Sequence, residues 1–269
     1  MISKPIEEHF VDRIQATIKS AYKEKPVADA SFVVERAPSL GAQVTQYLLE
    51  AIEAGRIRPG DRLVETDLAV KLGISRAPLR EALRHLSSSG LVEHRPGRGT
   101  YIANASDDSV EQMGLFRGML EGDAATLLAS RRPTDILREL ADLIRHMETP
   151  DVIGDPLRFV DFHWIFHRTI CMGADNEYLL TSWDQVSRQI KMYLNTRLHV
   201  LDHGRVVRNN RAVLQTLASA DPATAGALVR SLIIRQTFHV LGRALPVELS
   251  CLVTLTVDNE GQVVSISPS

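Results

Sequence analysis

LVETDLAVKLGISRAPLREALRHLSSSGLVEHRPGRGTYI, residues 63–102, contains the local signals of one compact folded unit. A first helix is predicted over 66–72, where Gly73 supplies the left-handed residue that ends it. A second helix is predicted to begin after Ser75, a good N-cap. Pro78 falls in its first turn, and apolar residues then repeat at helical spacing. Two helices joined by so short a turn predict a helix-turn-helix.

The outer face of the second helix carries Arg76, Arg80 and Arg84 at four-residue spacing. Guanidinium groups match guanine edges and phosphate oxygens, and a recognition helix reaches bases from its N-terminal part. The segments 91–94 and 100–103 flank a basic turn and predict a hairpin wing. An exposed arginine face is otherwise a solvated surface, but the adjacent wing favours a winged helix-turn-helix that binds DNA.

This stretch resembles the DNA-binding domain of the GntR family of bacterial transcription regulators. The resemblance is carried by Gly55, Pro59-Gly60-Asp61-Arg62-Leu63, Glu65, Leu68-Ala69, Ser75-Arg76, Pro78, Arg80-Glu81-Ala82-Leu83, Leu86, Gly90-Leu91 and Gly97-Arg98-Gly99-Thr100. It implies DNA contacts from Ser75, Arg76 and Arg80, and from the wing at Gly97 and Arg98. Some relatives use a further arginine directly after the motif's glutamate, where this chain has Thr66.

Composition indicates a globular protein with localised rather than general positive charge. The chain has 269 residues, which suits two domains, and a formal net charge of −2. Residues 39–103 contain nine Lys and Arg against seven Asp and Glu, a balance of +2, whereas 104–269 contain 16 against 20, a balance of −4. DNA affinity is therefore expected from a few well-placed contacts on the two subunits of a homodimer.

The two cysteines, Cys171 and Cys251, are far apart in a sequence without a leader pattern or a long apolar segment. They are predicted to be free thiols in a reducing cytoplasm, and no membrane partner is expected.

The predicted fold is mainly α-helical and has five segments. These are an N-terminal extension at 1–38 with an amphipathic helix over 5–24, the winged helix-turn-helix at 39–103, a polar hinge at 104–110, an all-helical antiparallel bundle at 111–245, and a C-terminal β-hairpin at 246–269. The N-terminal helix is expected to dock within the dimer or to lie on its own subunit. The hairpin is expected to lie against the bundle or another subunit, because two strands alone are marginally stable.

The bundle resembles FCD, the ligand-binding domain of the FadR branch of the same family. The matches are Arg117-Gly118-Met119-Leu120-Glu121 with Ala124-Ala125, Phe166-His167 with Asn176, and Asn210-Arg211-Ala212-Val213-Leu214 through Ala220-Asp221. The resemblance implies a small-metabolite effector, commonly a carboxylic acid. Arg117 is predicted to meet that carboxylate, since bidentate recognition favours arginine. The alternative is a structural pair with Glu121, one turn on.

Many FCD domains hold a divalent metal with an acidic residue, a histidine four residues later and two further histidines. The matching positions here are His163, His167, Asn210 and Leu232. His163 and His167 are one helical turn apart and face the same way, but a stable site normally needs three or four protein ligands. Three interpretations stay open: an incomplete metal site, a metal-free polar pocket with Asn210 for an organic effector, and plain packing.

The functional hypothesis is a cytoplasmic, homodimeric transcription factor, most simply a repressor, that binds an inverted-repeat operator and responds to a small molecule. The alternative is a metal-dependent enzyme that uses His163 and His167. The sequence has no nucleophile elbow and no third strong ligand at matching spacing, which disfavours that alternative.

Overall fold

The computed structural model describes residues 39–53, 55–198, 201–249, 253–257 and 263–268. The predicted N-terminal helix and linker at 1–38 lie outside the described residues, as does Cys251. Within the described residues the chain is mainly helical, with a small sheet near the start and a two-stranded sheet at the end. The predicted fold class is confirmed.

The winged unit has six regular elements, in the order helix, strand, helix, helix, strand, strand. They are α1 (Leu40–Glu53), β1 (Arg62–Leu63), α2 (Glu65–Leu72), α3 (Arg76–Ser88), β2 (Val92–Arg95) and β3 (Gly99–Ile102). Strands β2 and β3 form the predicted wing, with β2 one residue later than expected at each end. The short β1 pairs antiparallel with β3 and was missed by the sequence analysis.

The turn between α2 and α3 has the geometry that its sequence predicts. Gly73 adopts φ 64° and its N–H donates to the carbonyls of Ala69 and Val70, which ends α2. Ser75 has extended backbone at the N-cap position of α3, but its hydroxyl makes no capping hydrogen bond. The helix is held instead by its inner face, where Leu79 and Leu86 are almost fully buried.

The second part of the chain is a bundle of seven helices within the described residues. They are α4 (Asp107–Arg131), α5 (Thr134–Met147), the short α6 (Pro150–Ile153), α7 (Pro156–Gly173), α8 (Glu177–Asn195), α9 (His203–Ser219) and α10 (Pro222–Leu241). Each of α4, α7, α8, α9 and α10 begins with a side chain that accepts the N–H three residues on, from Ser106, Asp155, Asn176, Asp202 and Asp221 respectively. Such caps satisfy N–H groups that a helix leaves free, so the boundaries are locally encoded.

Helices α4 and α10 pack closely because small residues face each other between them. A Cβ added to Gly226 would stand 2.0 Å from the Thr126 hydroxyl and 2.7 Å from the Gly122 carbonyl oxygen. Any side chain there would push the helices apart. This contact holds α4 at the centre of the bundle, where it presents Arg117 and Glu121 to α7 and α8.

The segment predicted as a hinge, 104–110, is in part the start of a helix. Ser106 caps α4 at Asp107, and the Tyr193 hydroxyl donates a 2.6 Å hydrogen bond to the Asp107 carboxylate. Arg243 forms ion pairs with Asp108 and with Glu111. Acidic side chains stabilise a helix N-terminus, so the polar run that suggested a linker is a tethered helix start.

The C-terminal strands β4 (Val253–Val257) and β5 (Val263–Pro268) pair antiparallel, with Leu255 opposite Ile266 and an irregularity after Thr256. The predicted hairpin is therefore present, and its connecting residues 258–262 lie outside the described part. Strand β4 lies beside α10 and α9, which agrees with the expectation that the hairpin rests on the bundle.

Candidate DNA-binding surface and ligand cavity

The predicted recognition residues lie together on one open face of the winged unit. Ser75, Arg76, Arg80 and Arg84 are all exposed on or beside α3, while the leucines of this helix are buried on its other side. The side chains of Ser75, Arg76 and Arg84 have no hydrogen bond or ion pair with the described residues. Their polar groups are therefore free to contact an external partner.

Arg80 differs from its neighbours because a carboxylate holds it. Its Nε donates a 2.7 Å hydrogen bond to Glu65 Oε2, at the first residue of α2. Both side chains are partly solvent-exposed. Binding through Nε leaves both terminal nitrogens of Arg80 free, and a planar guanidinium held from behind is suited to a guanine edge.

The wing contributes a basic tip beside the helix. Its turn contains Gly97 at φ 70°, and Gly99 follows at φ 109°, values that favour glycine. Arg98 is exposed between them, while Arg95 lies over the Tyr101 ring at 4.4 Å and pairs with Glu93. Of these two arginines, only Arg98 has a side chain without a partner among the described residues.

Helix α3 and the wing enclose a groove of about 600 Å³. Its lining includes Arg80 and Arg84 from the helix and His94 and Thr100 from the wing. The arginines predicted to read DNA and the predicted wing are thus walls of a single surface groove, as a recognition helix beside a wing requires.

A buried polar cluster lies inside the bundle and was only partly predicted. Glu121 is completely buried, and its Oε1 accepts hydrogen bonds from Arg117 Nε at 2.5 Å and Trp183 Nε1 at 2.6 Å. Its Oε2 lies 2.6 Å from His167 Nδ1. Trp183 was missed because it is 62 residues from Glu121, and no local pattern connects them. Helices α4, α7 and α8 therefore meet at one carboxylate.

The electrostatics of this cluster keep Glu121 ionised. Burial alone raises the pKa of a carboxyl group, but the charge of Arg117, the charge and hydrogen bond of His167 and the hydrogen bond of Trp183 outweigh burial and lower the pKa of Glu121 to about 2. A buried charge is tolerated only when it is paired and hydrogen-bonded in this way.

Arg117 is part of the cluster and does not line the cavity described next. Its guanidinium lies 4.3 Å from the Trp164 ring centre and 5.7 Å from that of Trp183. The arrangement is the Glu121 pair that the sequence left as an alternative. Its Nη2 is buried without a partner among the described residues.

The other predicted effector residues surround one small cavity of about 30 Å³. His163, His167 and Asn210 line it together with Leu232, so the four positions that match the family's metal ligands converge here. The His163 and His167 rings meet edge to face at 4.5 Å, and Asn210 Nδ2 lies 3.3 Å from His163 Nδ1. A volume of this size holds about one water molecule, so a larger ligand needs the side chains to move.

These residues do not fit a transition-metal site. The positions of the third and fourth ligands hold Asn210, a weak ligand, and Leu232, which cannot bind a metal ion. Within the described residues, no group of three or more His, Cys, Asp or Glu side chains is arranged to hold a metal ion. Burial, followed by the nearby His167 and Arg117 charges, lowers the pKa of His163 well below its usual value, so this ring is neutral at pH 7.

Helix α8 connects the buried cluster with the winged unit. Trp183, near its start, binds Glu121, and Met192, near its end, is buried in the hydrophobic core of the winged unit with Leu91 and Ile52. Between them, Gln189 Nε2 donates a 3.2 Å hydrogen bond to the Ser89 carbonyl. The two parts of the chain therefore share a core as well as a peptide connection.

The described helices include none with both the length and the apolar character that a membrane crossing requires.

Comparison with known proteins agrees with this architecture. Residues 40–102 match the model of the bacterial regulatory proteins of the gntR family, and residues 112–235 match the FCD domain. The chain is 30% identical to the HTH-type transcriptional regulator LutR of Bacillus subtilis, over 51% of this chain and 68% of LutR. It is 26% identical to the "Probable D-xylose utilization operon transcriptional repressor" of Paenarthrobacter nicotinovorans, over 70% of this chain and 82% of that protein.

The fold also matches the solved structure of McbR (YncC) from E. coli, with a TM-score of 0.65 and 22% identity, covering 76% of this chain and 97% of that one. The relatives are transcription regulators and not enzymes, so they do not support the alternative of a metal-dependent enzyme. The chain belongs to the GntR family of bacterial regulatory proteins, and it is a DNA-binding transcriptional regulator whose FCD domain takes a small-molecule effector.

Proposed function

We propose that the protein is a cytoplasmic repressor that binds an inverted-repeat operator as a homodimer and is controlled by a small organic acid. Three relatives are named transcriptional repressors, one of them as probable, which supports this direction of control. A two-fold symmetric dimer presents two recognition helices to two half-sites. Two sets of DNA contacts would compensate for the modest positive charge of a single winged unit.

The observation that carries the DNA-binding mode is the exposed arginine edge beside the wing. Arg76 and Arg84 are free, Arg80 is oriented by Glu65, and Arg98 stands at the tip of the wing. In this proposal Arg80 contacts a guanine edge, Arg76 contacts a base or phosphate with Ser75, and Arg84 and the wing contact the DNA backbone. Phosphate contacts fix the register, and base contacts supply the specificity.

The effector acts in this proposal next to His163, His167 and Asn210, which offer it hydrogen-bonding groups in a cavity that Asn209, Gln236 and apolar side chains complete. A ligand that displaces His167 also disturbs its hydrogen bond with Glu121, and Glu121 holds Trp183. Binding is thereby connected to α8, which begins at the buried cluster and ends in the core of the winged unit.

In this proposal helix α8, and not the segment predicted as a hinge, transmits the effect of ligand binding to the winged unit. Met192 lies nine residues after Trp183, about 14 Å along a straight helix, so a displacement at the cluster is carried rigidly to the winged unit. Gln189 and Met192 fix how that unit sits on the bundle. A change in this contact alters the spacing of the two recognition helices in a dimer, and with it the fit to the operator.

The test is selection of bound DNA from a random double-stranded library by the purified full-length protein, with sedimentation to determine the oligomeric state. We expect enrichment of two half-sites in inverted orientation and a dimer on the DNA. Recovery of no enriched sequence, or of a single half-site bound by a monomer, contradicts the proposal.

A further inference from the structure

A second and much larger cavity lies on the bundle, one helical turn outside the small one. Its volume is about 500 Å³, within the range of roughly 300 to 1,000 Å³ typical of small-ligand sites. It is lined by Glu148, Ile153, Phe159, His203, Gly204, Val207, Arg208 and Arg211. Of these positions only His203 was a candidate from the sequence, as a possible further metal ligand beside His163 and His167.

The two cavities lie at successive levels of α7 and α9, which contribute side chains to both. Phe159 of the outer cavity precedes His163 of the inner one by a turn of α7, and Arg211 directly follows Asn210 on α9. On α5, Met147 contacts Asn210 through its sulfur, and the outer cavity begins at the next residue, Glu148. A ligand in the outer cavity is therefore adjacent to the residues proposed above for the effector.

The charge of the outer cavity is positive. It contains two guanidinium groups and one carboxylate, a formal balance of +1 before His203 is considered. Arg211 is paired with Glu148, which holds it in place. Arg208 has no hydrogen bond or ion pair with the described residues. Asp202, whose carboxylate caps α9, interacts electrostatically with Arg208 but forms no ion pair with it.

The remaining walls are apolar and flat. The His203 ring stacks on the buried Phe159 ring at 4.0 Å with an interplanar angle of 18°, and Ile153 and Val207 add aliphatic surface. Gly204 leaves room for the guanidinium of Arg208, since a Cβ there would lie 3.3 Å from Nη1. The cavity thus combines an unpaired cation with an aromatic and aliphatic floor.

We infer that this outer cavity binds a small organic anion, a carboxylate or phosphate ester with a planar or aliphatic body. Arg208 receives the anionic group, Arg211 adds a second positive charge, and the body of the ligand lies against Ile153, Val207 and the stacked rings. Guanidinium matches both kinds of oxyanion with paired hydrogen bonds. The inference goes beyond the proposed function, which places the effector in the inner cavity beside His163, His167 and Asn210.

The experiment measures binding of benzoate, phenyl phosphate and the neutral isostere benzamide to the full-length protein by ligand-observed NMR titration. We expect one of the two anions to bind and benzamide to bind at least about tenfold more weakly, because a charge-assisted pair is lost. Arg208→Gln is expected to weaken binding of the anion by a similar factor. Arg138→Gln, which removes an exposed arginine elsewhere on α5, is the matched control and should change nothing.

Three results overturn the inference. They are absence of binding by both anions, equal binding of benzamide, and loss of the anion in His163→Ala together with its retention in Arg208→Gln, which places it in the inner cavity. Binding of operator DNA by the wild type and the same variants is measured separately, with none of the three ligands present. If the wild type binds operator DNA but neither anion, the DNA-binding proposal stands and only the anion site is contradicted.

Discussion

The indole N–H of Trp183 donates a 2.6 Å hydrogen bond to Glu121, a carboxylate that is completely buried 62 residues earlier in the chain. The same carboxylate accepts from Arg117 and pairs with His167. One ionised group thereby joins α4, α7 and α8, and α8 continues into the core of the winged unit. We therefore expect both the stability of the bundle and the placement of the winged unit to depend on this group.

Removing the charge of Glu121 should destabilise the protein strongly. Glu121→Gln keeps the shape of the side chain but leaves Arg117 buried without its counter-charge, which is expected to lower the free energy of unfolding by about 3 to 5 kcal/mol. Urea unfolding measures this change. Asp123→Asn, which breaks the exposed pair with Arg230, is the control and should lower it by at most about 1 kcal/mol. Equal effects of the two substitutions would contradict a central role for Glu121.

The same carboxylate should make stability depend on acid. The pKa of Glu121 is lowered to about 2 in the folded protein from 4.5, so the folded state binds fewer protons than the unfolded state between these values. Its contribution is present above pH 4.5 and is lost as pH falls towards 2, by about 3 kcal/mol in total. Unfolding titrations below pH 5 should show this loss in the wild type and not in Glu121→Gln.

A second loss of stability should begin at higher pH because of His163. Burial lowers the pKa of His163 well below 6.5, so the unfolded chain binds a proton there before the folded protein does. Its contribution is present above pH 6.5 and is lost as pH falls below that value. His163→Gln should flatten the unfolding profile in this window and leave the Glu121 window unchanged; an identical profile in the variant would show that the pKa of His163 is not lowered in the folded protein.

The helix-turn-helix was predictable because its determinants are local. Gly73 must be left-handed, Ser75 marks the start of α3, and the apolar period of this helix is regular. Strand β1 was not predictable in the same way, because a two-residue strand exists only through its pairing with β3. The helix start inside the predicted hinge was missed for a related reason: Asp107 and Asp108 are polar enough for a linker, but their partners Tyr193 and Arg243 come from distant parts of the chain.

Glu65 should sharpen the choice of DNA sequence without contacting DNA itself. It holds Arg80 Nε at 2.7 Å, so Glu65→Gln weakens the constraint on Arg80 and also removes a negative charge close to the phosphates. We expect the affinity for non-specific DNA to rise. The ratio of operator to non-specific affinity should fall by roughly tenfold, which is about the effect of losing one base contact. Competition binding at fixed salt measures this ratio, and an unchanged ratio would mean that Glu65 does not position Arg80.

Met192 should hold the winged unit on the bundle. Met192→Ala removes a buried side chain from the core of that unit, at an expected cost of about 2 to 5 kcal/mol. Hydrogen exchange should quicken in α1 and α3 while the Glu121 cluster stays protected. Tyr178→Ala is a control on the same helix, since Tyr178 is 87% exposed and should alter neither region. Unchanged exchange in α1 and α3 of Met192→Ala would rule out this attachment.

The residues that line the inner cavity were predictable as neighbours, and their role as the effector site stays a prediction. The spacing of His163 and His167 and the family resemblance identified the helices that surround the cavity, and Asn210 and Leu232 line it as their alignment implied. The sequence could not decide whether Arg117 pairs with Glu121 or contacts a ligand, because both roles require an arginine at this position. The outer cavity was not predictable, because Glu148, Phe159 and Arg208 come together only when α5, α7 and α9 pack.

The most direct test of the account is the affinity of Arg80→Ala for the operator that the wild-type protein selects. Gel retardation should show binding weakened by roughly 1 to 3 kcal/mol, the value of a bidentate arginine–guanine contact, with relaxed preference at a single base pair of each half-site. Arg138→Ala, an exposed arginine outside the winged unit, should bind as the wild type does. Retention of the operator by Arg80→Ala at wild-type affinity would contradict the assignment of α3 as the recognition helix.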